Sequence, residues 1–233
     1  MMWFVDLLDD FAGLLFPRTC FGCGNHLMRN EKVICTECLY EIPCTNFHNE
    51  PENQVAKLFW GRCRIERAAA YSGFSSGSRM QSLIHNLKYK GITEIGIEMG
   101  KMYGSILSQS GFTSGIDIII PVPLHPSRQR SRGFNQSELI AGGISEGTGL
   151  PVFTKILVRS SRTKTQTKKS RFSRWINVEG IFQVNDVGSI KGKHILLVDD
   201  VITTGSTLEA CANELLKAEN VKVSVAALAY AVM

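Results

Sequence analysis

The chain has 233 residues, of which 44% are hydrophobic and 20% charged, so wholesale disorder is excluded and one medium domain with a smaller module is expected. No run approaches 18 uncharged apolar residues, and the apolar N-terminal stretch carries three aspartates, so we expect neither a membrane span nor a signal peptide. Seven cysteines without a secretory signal favour a reducing compartment, and we therefore expect a cytoplasmic protein.

The net charge of +5 is unevenly distributed along the chain. Residues 121–178 contain eleven basic side chains against two acidic ones, so this window carries +9 and the remainder −4. Such a concentration of positive charge favours a polyanionic partner, which could be a nucleic acid, a nucleotide or pyrophosphate.

The N-terminal half begins with apolar residues at helical spacing from Trp3 to Phe16, which predicts a short amphipathic helix over residues 1–16, ended by Pro17. Residues 17–58 follow as a small turn-rich module dense in Cys, Gly and Asn. The pattern then predicts four further elements in chain order. They are a strand over 65–71, a loop over 72–78, and helices over 79–90 and 95–109.

The pattern changes at residues 116–122, where the continuous apolar run IDIIIPV is typical of a strand buried on both faces of a parallel sheet. A basic loop, a helix, another strand and a long polar stretch are expected next. The last three are placed at 137–146, 152–158 and 159–178. The C-terminal part predicts a strand over 194–200, a helix over 204–217 and a strand over 221–230, so the fold class is α/β with a parallel sheet flanked by helices.

Four cysteines follow the spacing C-x2-C-x11-C-x2-C. They are Cys20, Cys23, Cys35 and Cys38. Thiolates at this spacing converge tetrahedrally on zinc, and because four protein ligands leave no open position, we expect a structural zinc rather than a catalytic one. Disulfide formation and a chance spacing stay open as alternatives, as do His26, Cys44 and Cys63 as substitute ligands.

The sharpest motif is LLVDDVITTGST at residues 196–207. A buried strand delivers Asp199 and Asp200 to its carboxyl end, where open α/β sheets bind ligands. The chain then turns into a helix through Thr203, Thr204, Gly205, Ser206 and Thr207. The first amides of that helix form a phosphate cradle, and the carboxylates, which would repel phosphate, are expected to bind ribose hydroxyls directly or through magnesium. The alternative is an ordinary turn and N-cap.

This motif closely resembles the 5-phosphoribosyl 1-pyrophosphate signature of type I phosphoribosyltransferases. The resemblance implies that Thr203–Thr207 hold the 5-phosphate and that Asp199 and Asp200 hold the ribose. One departure matters: purine-salvage members carry an acidic residue after the paired acids that acts as a base, and here Thr203 stands at that place, so purine salvage loses support.

Three further stretches are similar to a narrower family, the ComF/GntX-type competence proteins, which join an N-terminal four-cysteine zinc module to a phosphoribosyltransferase domain. They are LKYKG (87–91), PVPLHPSRQRSRGFNQS (121–137) and TKTQTKKSRFSRWINVEGIFQV (163–184). The resemblance spans nearly the whole chain. It implies a zinc-ribbon-like module over 17–58, a type I phosphoribosyltransferase-like domain over 59–233 with hood elements around 59–92 and 159–178, and a role in DNA uptake.

A leaving pyrophosphate needs cations and hydrogen-bond donors. The expected pyrophosphate and hood cations are Lys88, Arg128, Arg130, Arg132, Lys168 and Lys169, with Asn135 and Gln136 as further donors. Together with Asp199 and Asp200, two of these cations, Arg128 and Arg132, are also the expected catalytic residues.

Two functions stay open at this point. The first is a protein that binds 5-phosphoribosyl 1-pyrophosphate during DNA uptake, with DNA-uptake proteins as further partners. Its zinc module and its basic segment would engage single-stranded DNA, the basic segment through cations interleaved with Phe172 and Trp175. The second is an enzyme in which an unidentified nitrogen nucleophile displaces pyrophosphate with the help of magnesium. A purely structural adaptor would require the phosphate loop to be empty.

Overall fold

The computed structural model describes residues 17–159 and 181–231. Its helices, in chain order, are α1 (Thr36–Glu41), α2 (Gln54–Lys57), α3 (Arg79–Tyr89), α4 (Thr93–Gln109), α5 (Pro126–Arg132), α6 (Gln136–Thr148) and α7 (Ser206–Leu215), with two short 3-10 turns at Phe47–Asn49 and Gly188–Ile190. Its strands are β1 (Ala68–Phe74), β2 (Ile118–Pro121), β3 (Leu157–Arg159), β4 (Phe182–Val184), β5 (His194–Ile202) and β6 (Lys222–Ala231).

The main sheet has four parallel strands in the order β1-β6-β5-β2. The apolar side chains of β5 alternate between two buried layers, so that Leu196 and Val198 pack with helices α3, α4 and α6 while Ile195 and Leu197 pack with α7. Burial on both faces explains why this strand is a continuous apolar run. The predicted α/β class, a parallel sheet flanked by helices, is confirmed.

Three departures of the observed elements from the predicted ones bear on the site and its surroundings. Strand β1 starts three residues later than predicted and runs through the first part of the predicted loop over 72–78. The basic loop after β2 contains helix α5, with Pro126 in its first turn and Gly133 in a left-handed conformation after its end. The predicted strand over 152–158 is two pieces, because the exposed Thr154 and Lys155 interrupt its apolar run: Val152 bridges to β2, whereas β3 pairs with β4 in a separate antiparallel ladder.

Helices α4 and α6 pack through glycines instead of side chains. The glycines that face the opposite helix are Gly96, Gly100 and Gly104 on α4 and Gly143 and Gly147 on α6. A Cβ atom on Gly104 or Gly147 would lie 2.7 or 2.6 Å from a carbonyl oxygen of the other helix, and those on Gly100 and Gly143 would lie closer still. No side chain fits at these positions, so the two backbones are in direct contact.

The N-terminal cysteine module packs directly on the larger domain. Cys20, Val33 and Cys38 belong to the same buried cluster as Met80 and Leu83 of helix α3. The contact is also polar, since the Asn86 side-chain amide donates to the Phe21 carbonyl over 2.9 Å, and Arg79 and Glu41 form an ion pair of 2.7 Å. The boundary proposed at residue 58 stays a prediction.

Short segments cover both outer strands of the main sheet. Along β1, the backbone of residues 43–45 runs antiparallel, with the Thr45 amide donating to the Tyr71 carbonyl over 3.0 Å. Along β2, the Ile119 amide donates to Pro151 over 2.9 Å and the Phe153 amide donates back to Ile119 over 2.9 Å. The backbone groups on these edges are therefore partly paired within the chain.

Two predicted elements lie outside the described residues. They are the amphipathic helix over 1–16 and all but the first residue of the hood element over 159–178. Within residues 17–159 and 181–231, no helix combines the length and apolar character that crossing a bilayer requires.

Candidate functional site

The predicted phosphate loop is an open turn between β5 and α7. Gly205 adopts the left-handed region with φ 74° and is buried, because a Cβ there would lie 3.3 Å from the ring of Phe59. The hydroxyl residues around it are exposed, namely Thr203, Thr204, Ser206 and Thr207. Helix α7 starts at Ser206, so its first amides, which have no partner within the helix, and the positive end of its dipole lie at this turn. The turn presents donors suited to an anion, and within the loop the Thr204 hydroxyl lies 2.9 Å from the Ser206 hydroxyl and weakly accepts from the Ser206 amide at 3.5 Å.

The two aspartates lie near the carboxyl end of β5 and contact different elements. The Ser137 hydroxyl at the start of α6 donates to Asp199 Oδ1 over 2.9 Å, and the Asp200 amide donates to the same oxygen over 2.9 Å. Asp200 is only 4% exposed, and Lys88 Nζ of helix α3 lies 3.0 Å from its Oδ2. Neither carboxylate therefore extends freely into solvent.

The surroundings make ionisation of Asp199 costly. Burial, and after it the negative charge of Asp200, raise the pKa of Asp199 to about 7, although the Asp200 amide, Ser137 and Lys88 act in the opposite direction. Lys88 Nζ, 3.0 Å away, neutralises the buried Asp200 Oδ2, although this contact does not have hydrogen-bond geometry. Carboxylate oxygens are also the ligands that a hard cation such as Mg²⁺ prefers.

A basic cavity of about 760 Å³ lies beside the aspartates. It is lined by Lys88, Tyr89, Lys90, Gly91, Ser127, Arg128, Ser131, Arg132 and Phe134. Arg132 donates to the Gln136 side chain, and its guanidinium carbon lies 5.7 Å from the centre of the Tyr89 ring. Since Lys88 both lines this cavity and contacts Asp200, the cavity and the carboxylates belong to one site.

The structure brings together only part of the predicted pyrophosphate set. Lys88, Arg128 and Arg132 line the cavity, whereas Arg130 of the same helix does not. Asn135 is buried and already used, since its side chain donates to the Val122 carbonyl and accepts from the Ser137 amide as the N-cap of α6. Lys168 and Lys169 lie outside the described residues.

Two arginines near the site were not among its predicted residues. Arg159, where β3 ends, stacks 5.3 Å from the Phe182 ring with its Nε buried and unpartnered, and burial, then the charge of Arg128, lower its pKa. Arg62, which precedes β1, contacts the phosphate loop itself, donating to the Thr204 carbonyl over 3.0 Å. Arg159 stands in the basic window of the sequence, but no sequence signal marks Arg62, which is 142 residues away from Thr204.

The four predicted cysteines form one cluster in which all sulfur atoms lie within 4.8 Å of one another. Cys23 and Cys35 Sγ are 3.7 Å apart, and a tetrahedral zinc with Zn–S bonds of about 2.3 Å requires sulfur atoms roughly 3.8 Å apart. Backbone amides point at the sulfurs, as from Gly22 and Cys35 to Cys20 Sγ at 3.3 Å each, which favours thiolates. The donor set and its size fit zinc.

The alternative ligands lie apart from this cluster. The group of four contains neither His26 nor Cys44 nor Cys63. Cys44 is exposed beside Ser72 of β1, and Cys63 is half-buried near Glu209, where burial, followed by that carboxylate, raises its thiol pKa to about 11. Neither Cys44 nor Cys63 is therefore suited to complete the metal site, since both lie outside the group of four and the thiol of Cys63 is hard to ionise.

Comparison with known proteins places these features in a family. Residues 135–232, which run from the start of α6 through the phosphate loop to β6, match the model of the phosphoribosyl transferase domain. Among solved structures, an adenine phosphoribosyltransferase is 16% identical and covers 64% of this chain and 74% of its own, with a TM-score of 0.38, a likeness too remote to add weight.

Curated relatives match far beyond that domain. Competence protein F of Haemophilus influenzae is 36% identical over 225 residues, 93% of this chain and 98% of the relative. Competence protein ComFC of Bacillus subtilis is 30% identical over 86% of this chain and 78% of its own. DNA utilization protein YhgH of Escherichia coli K12 is 30% identical over 81% and 80%. At these identities and coverages, the chain belongs to the family of competence protein F, ComFC and YhgH, with a phosphoribosyl transferase domain behind an N-terminal cysteine module.

Proposed function

We propose that this protein binds 5-phosphoribosyl 1-pyrophosphate at the carboxyl end of its parallel sheet. The observation that carries the proposal is the position of Lys88, which lies 3.0 Å from Asp200 and also lines the basic cavity. A sugar held by its hydroxyls at the aspartates would thereby have its 1-pyrophosphate in a cationic cavity. The open turn after β5 would receive the phosphate at the other end of the sugar.

Each part of the ligand has a group of residues with matching chemistry. The 5-phosphate is assigned to the amides and hydroxyls of Thr203–Thr207, and the ribose hydroxyls to Asp199 and Asp200. The pyrophosphate is assigned to Lys88, Arg128 and Arg132, joined by the predicted hood residues Lys168 and Lys169, whereas Arg130, which does not line the cavity, has no place in this assignment. Mg²⁺ would be held by the aspartate oxygens and would neutralise charge on the pyrophosphate.

We propose that the cysteine cluster holds a structural zinc. All four sulfurs are used by the metal, so no position is left for a substrate, and zinc would fold a module whose own core is small. The module would also keep its polypeptide in contact with helix α3, which carries Lys88. We also propose that the protein works in the cytoplasm, because a reducing compartment keeps cysteines free to bind zinc.

The names of the relatives point to a process that involves DNA. Their names describe competence and DNA utilization, and we propose that this protein acts in the same process, the uptake and use of incoming DNA. Single-stranded DNA is the partner that the basic window would favour, with binding that weakens as salt rises.

A catalytic version of the function is favoured by one observation, the cavity lined by Lys88, Arg128 and Arg132, whose cations would stabilise the charge of a departing pyrophosphate. In a phosphoribosyl transfer, the bond from the sugar C1 to the pyrophosphate oxygen breaks, and the departing pyrophosphate takes the electron pair. A bond from C1 to a nitrogen nucleophile forms, and the proton of that nitrogen passes to a base. Solvent water would take this proton, since both aspartates would be occupied by the ribose and magnesium.

The test is calorimetry with 5-phosphoribosyl 1-pyrophosphate and magnesium. We expect saturable heat for the wild type and at least about a hundredfold weaker binding for Asp199→Asn/Asp200→Asn, since two charged ligand contacts are lost. Glu214→Gln/Glu219→Gln serves as the control, because it removes two charges that pair only with surface lysines. Indistinguishable heats for wild type and the aspartate variant would refute the proposal. Release of pyrophosphate on adding a nitrogen acceptor would establish turnover.

A further inference from the structure

The segment between α2 and β1 forms a support for the phosphate loop. Leu58 and Phe59 touch the position of Gly205, where the Phe59 ring would lie 3.3 Å from a Cβ. Three residues further on, Arg62 reaches the same loop with both guanidinium nitrogens. The loop conformation therefore depends on a segment that lies 142 residues earlier in the chain.

Arg62 contacts four groups, three at the loop and the start of α7 and one on its own segment. Nη1 donates to the Thr204 carbonyl over 3.0 Å and to the Leu58 carbonyl over 2.9 Å, so it ties the loop to its own segment. Nη2 pairs with the Glu209 carboxylate and lies 3.4 Å from the Ser206 hydroxyl. The side chains of Arg62 and Glu209 are 38% and 24% exposed, so water screens this ion pair only in part.

Glu209 is the reason that a cation is needed here. The stretch from Thr203 to Glu209 contains no Lys or Arg, and its one charged residue is this glutamate in the first turn of α7. A phosphate dianion bound at the helix start would be repelled by a carboxylate one turn away. In addition, the Thr204 carbonyl is an acceptor that would repel phosphate oxygens if it turned towards them.

We propose that Arg62 is a positioning residue for the 5-phosphate: it cancels the charge of Glu209 and holds the Thr204 carbonyl away from the anion. The inference rests on the proposed function and extends it from the loop to the segment before β1. Arg62 does not touch the phosphate in this arrangement but acts through Glu209 and Thr204. Removing Arg62 would weaken phosphate binding mainly because the charge of Glu209 is then no longer neutralised.

The experiment measures two probes that separate the halves of the site. Ribose 5-phosphate reports on the phosphate loop, and inorganic pyrophosphate with magnesium reports on the basic cavity. For Arg62→Ala we expect about tenfold weaker binding of ribose 5-phosphate, the size of one lost charge-assisted interaction, and pyrophosphate binding within about twofold of wild type. Adding Glu209→Gln to Arg62→Ala should restore most of the loss, which a merely structural defect would not do.

Two further variants keep the inference testable if Arg62→Ala folds poorly. Glu209→Gln alone should bind ribose 5-phosphate at least as tightly as wild type, because the repelling charge is gone. Arg64→Ala is the matched control, since Arg64 carries the same charge two residues away but pairs with Glu66 at 3.5 Å and is largely exposed. It should bind both probes as wild type does.

The outcomes separate this inference from the function on which it rests. If the wild type binds neither probe, the proposed function and the inference are both wrong. If the wild type binds ribose 5-phosphate and Arg62→Ala binds it equally well, only the role of Arg62 is wrong. Failure of Glu209→Gln to restore binding, or weaker binding by Glu209→Gln alone, would also overturn it.

Discussion

The cysteine cluster and the α4–α6 helix pair both bring backbone segments into close contact, but by opposite means. In the cluster, four side chains converge within 4.8 Å and a metal ion would tie them together. In the helix pair, five positions lack a side chain, so the backbones touch directly. The first depends on a few strong bonds and the second on many weak contacts. They should therefore respond differently to single substitutions.

The largest effect is expected at the cluster. Cys38→Ser removes one of four ligands from a fully buried position, and because metal binding and folding of such modules are coupled, it should cost on the order of 5 kcal/mol or more of the stability of the module. Zinc content by mass spectrometry and protease cleavage within residues 17–45 would measure it. Cys44→Ser, an exposed cysteine outside the cluster, should keep the metal. A Cys38→Ser protein that keeps stoichiometric zinc and resists protease would contradict the four-cysteine assignment.

The helix pair should show a smaller but still large effect. Gly143→Ala places a methyl group against the Ile97 carbonyl of α4, and overpacking of this kind should cost about 3 kcal/mol. Gly142→Ala is the matched control: it lies next in the same helix with nothing within 4 Å of its Cβ, and it should be neutral or stabilising by up to about 1 kcal/mol. Denaturant unfolding would measure both. Equal stability of the two variants would show that the helices are not in contact as described.

The smallest effect tests whether the helix pair positions the site. Helix α6 begins beside Asp199, whose pKa is raised to about 7. The stability that comes from the neutral form is fully present below the unfolded-state value of 3.8 and is lost as pH rises through about 7. Asp199→Asn should therefore be more stable than wild type at pH 8, with the difference shrinking as pH falls through about 7 and vanishing near pH 4.

Thermal unfolding across this pH range would show the change, with Glu219→Gln as an exposed carboxylate control. A constant difference between Asp199→Asn and wild type at every pH would mean that the carboxyl group titrates normally. Loss of the pH-dependent difference in a Gly143→Ala background would show that α6 must be in place for Asp199 to be buried.

The features that could be predicted from the sequence are those whose residues lie close together along the chain. The cysteine spacing, the apolar run of β5 and the acids and hydroxyls after it each lie within about twenty residues, and local geometry fixes how they meet. Helix α5 was missed although Pro126 and Gly133 are suited to its two ends, because the density of arginines was interpreted as a loop.

The unpredicted parts depend on contacts between distant segments. The glycines of α4 and α6 repeat at four-residue spacing, a visible signal, but the pattern does not say which helix they face. The contact of Lys88 with Asp200 depends on how α3 lies against β5, which no local pattern gives. Arg62 had no signal, because its partners Thr204 and Glu209 become neighbours only after the sheet has formed. Tertiary packing, not local pattern, assembles these contacts.

The backbone of residues 43–45, which covers the outer edge of β1, links the cysteine module to the solubility of the whole protein. Residues 43–45 occupy the outer side of that strand, and they directly follow the segment that the metal would fold. If the module lost its metal and came away, the amides and carbonyls of β1 would become available to a strand from another molecule. Zinc starvation would then cause self-association of the protein as well as local unfolding, so its solubility would follow the metal supply of the cell.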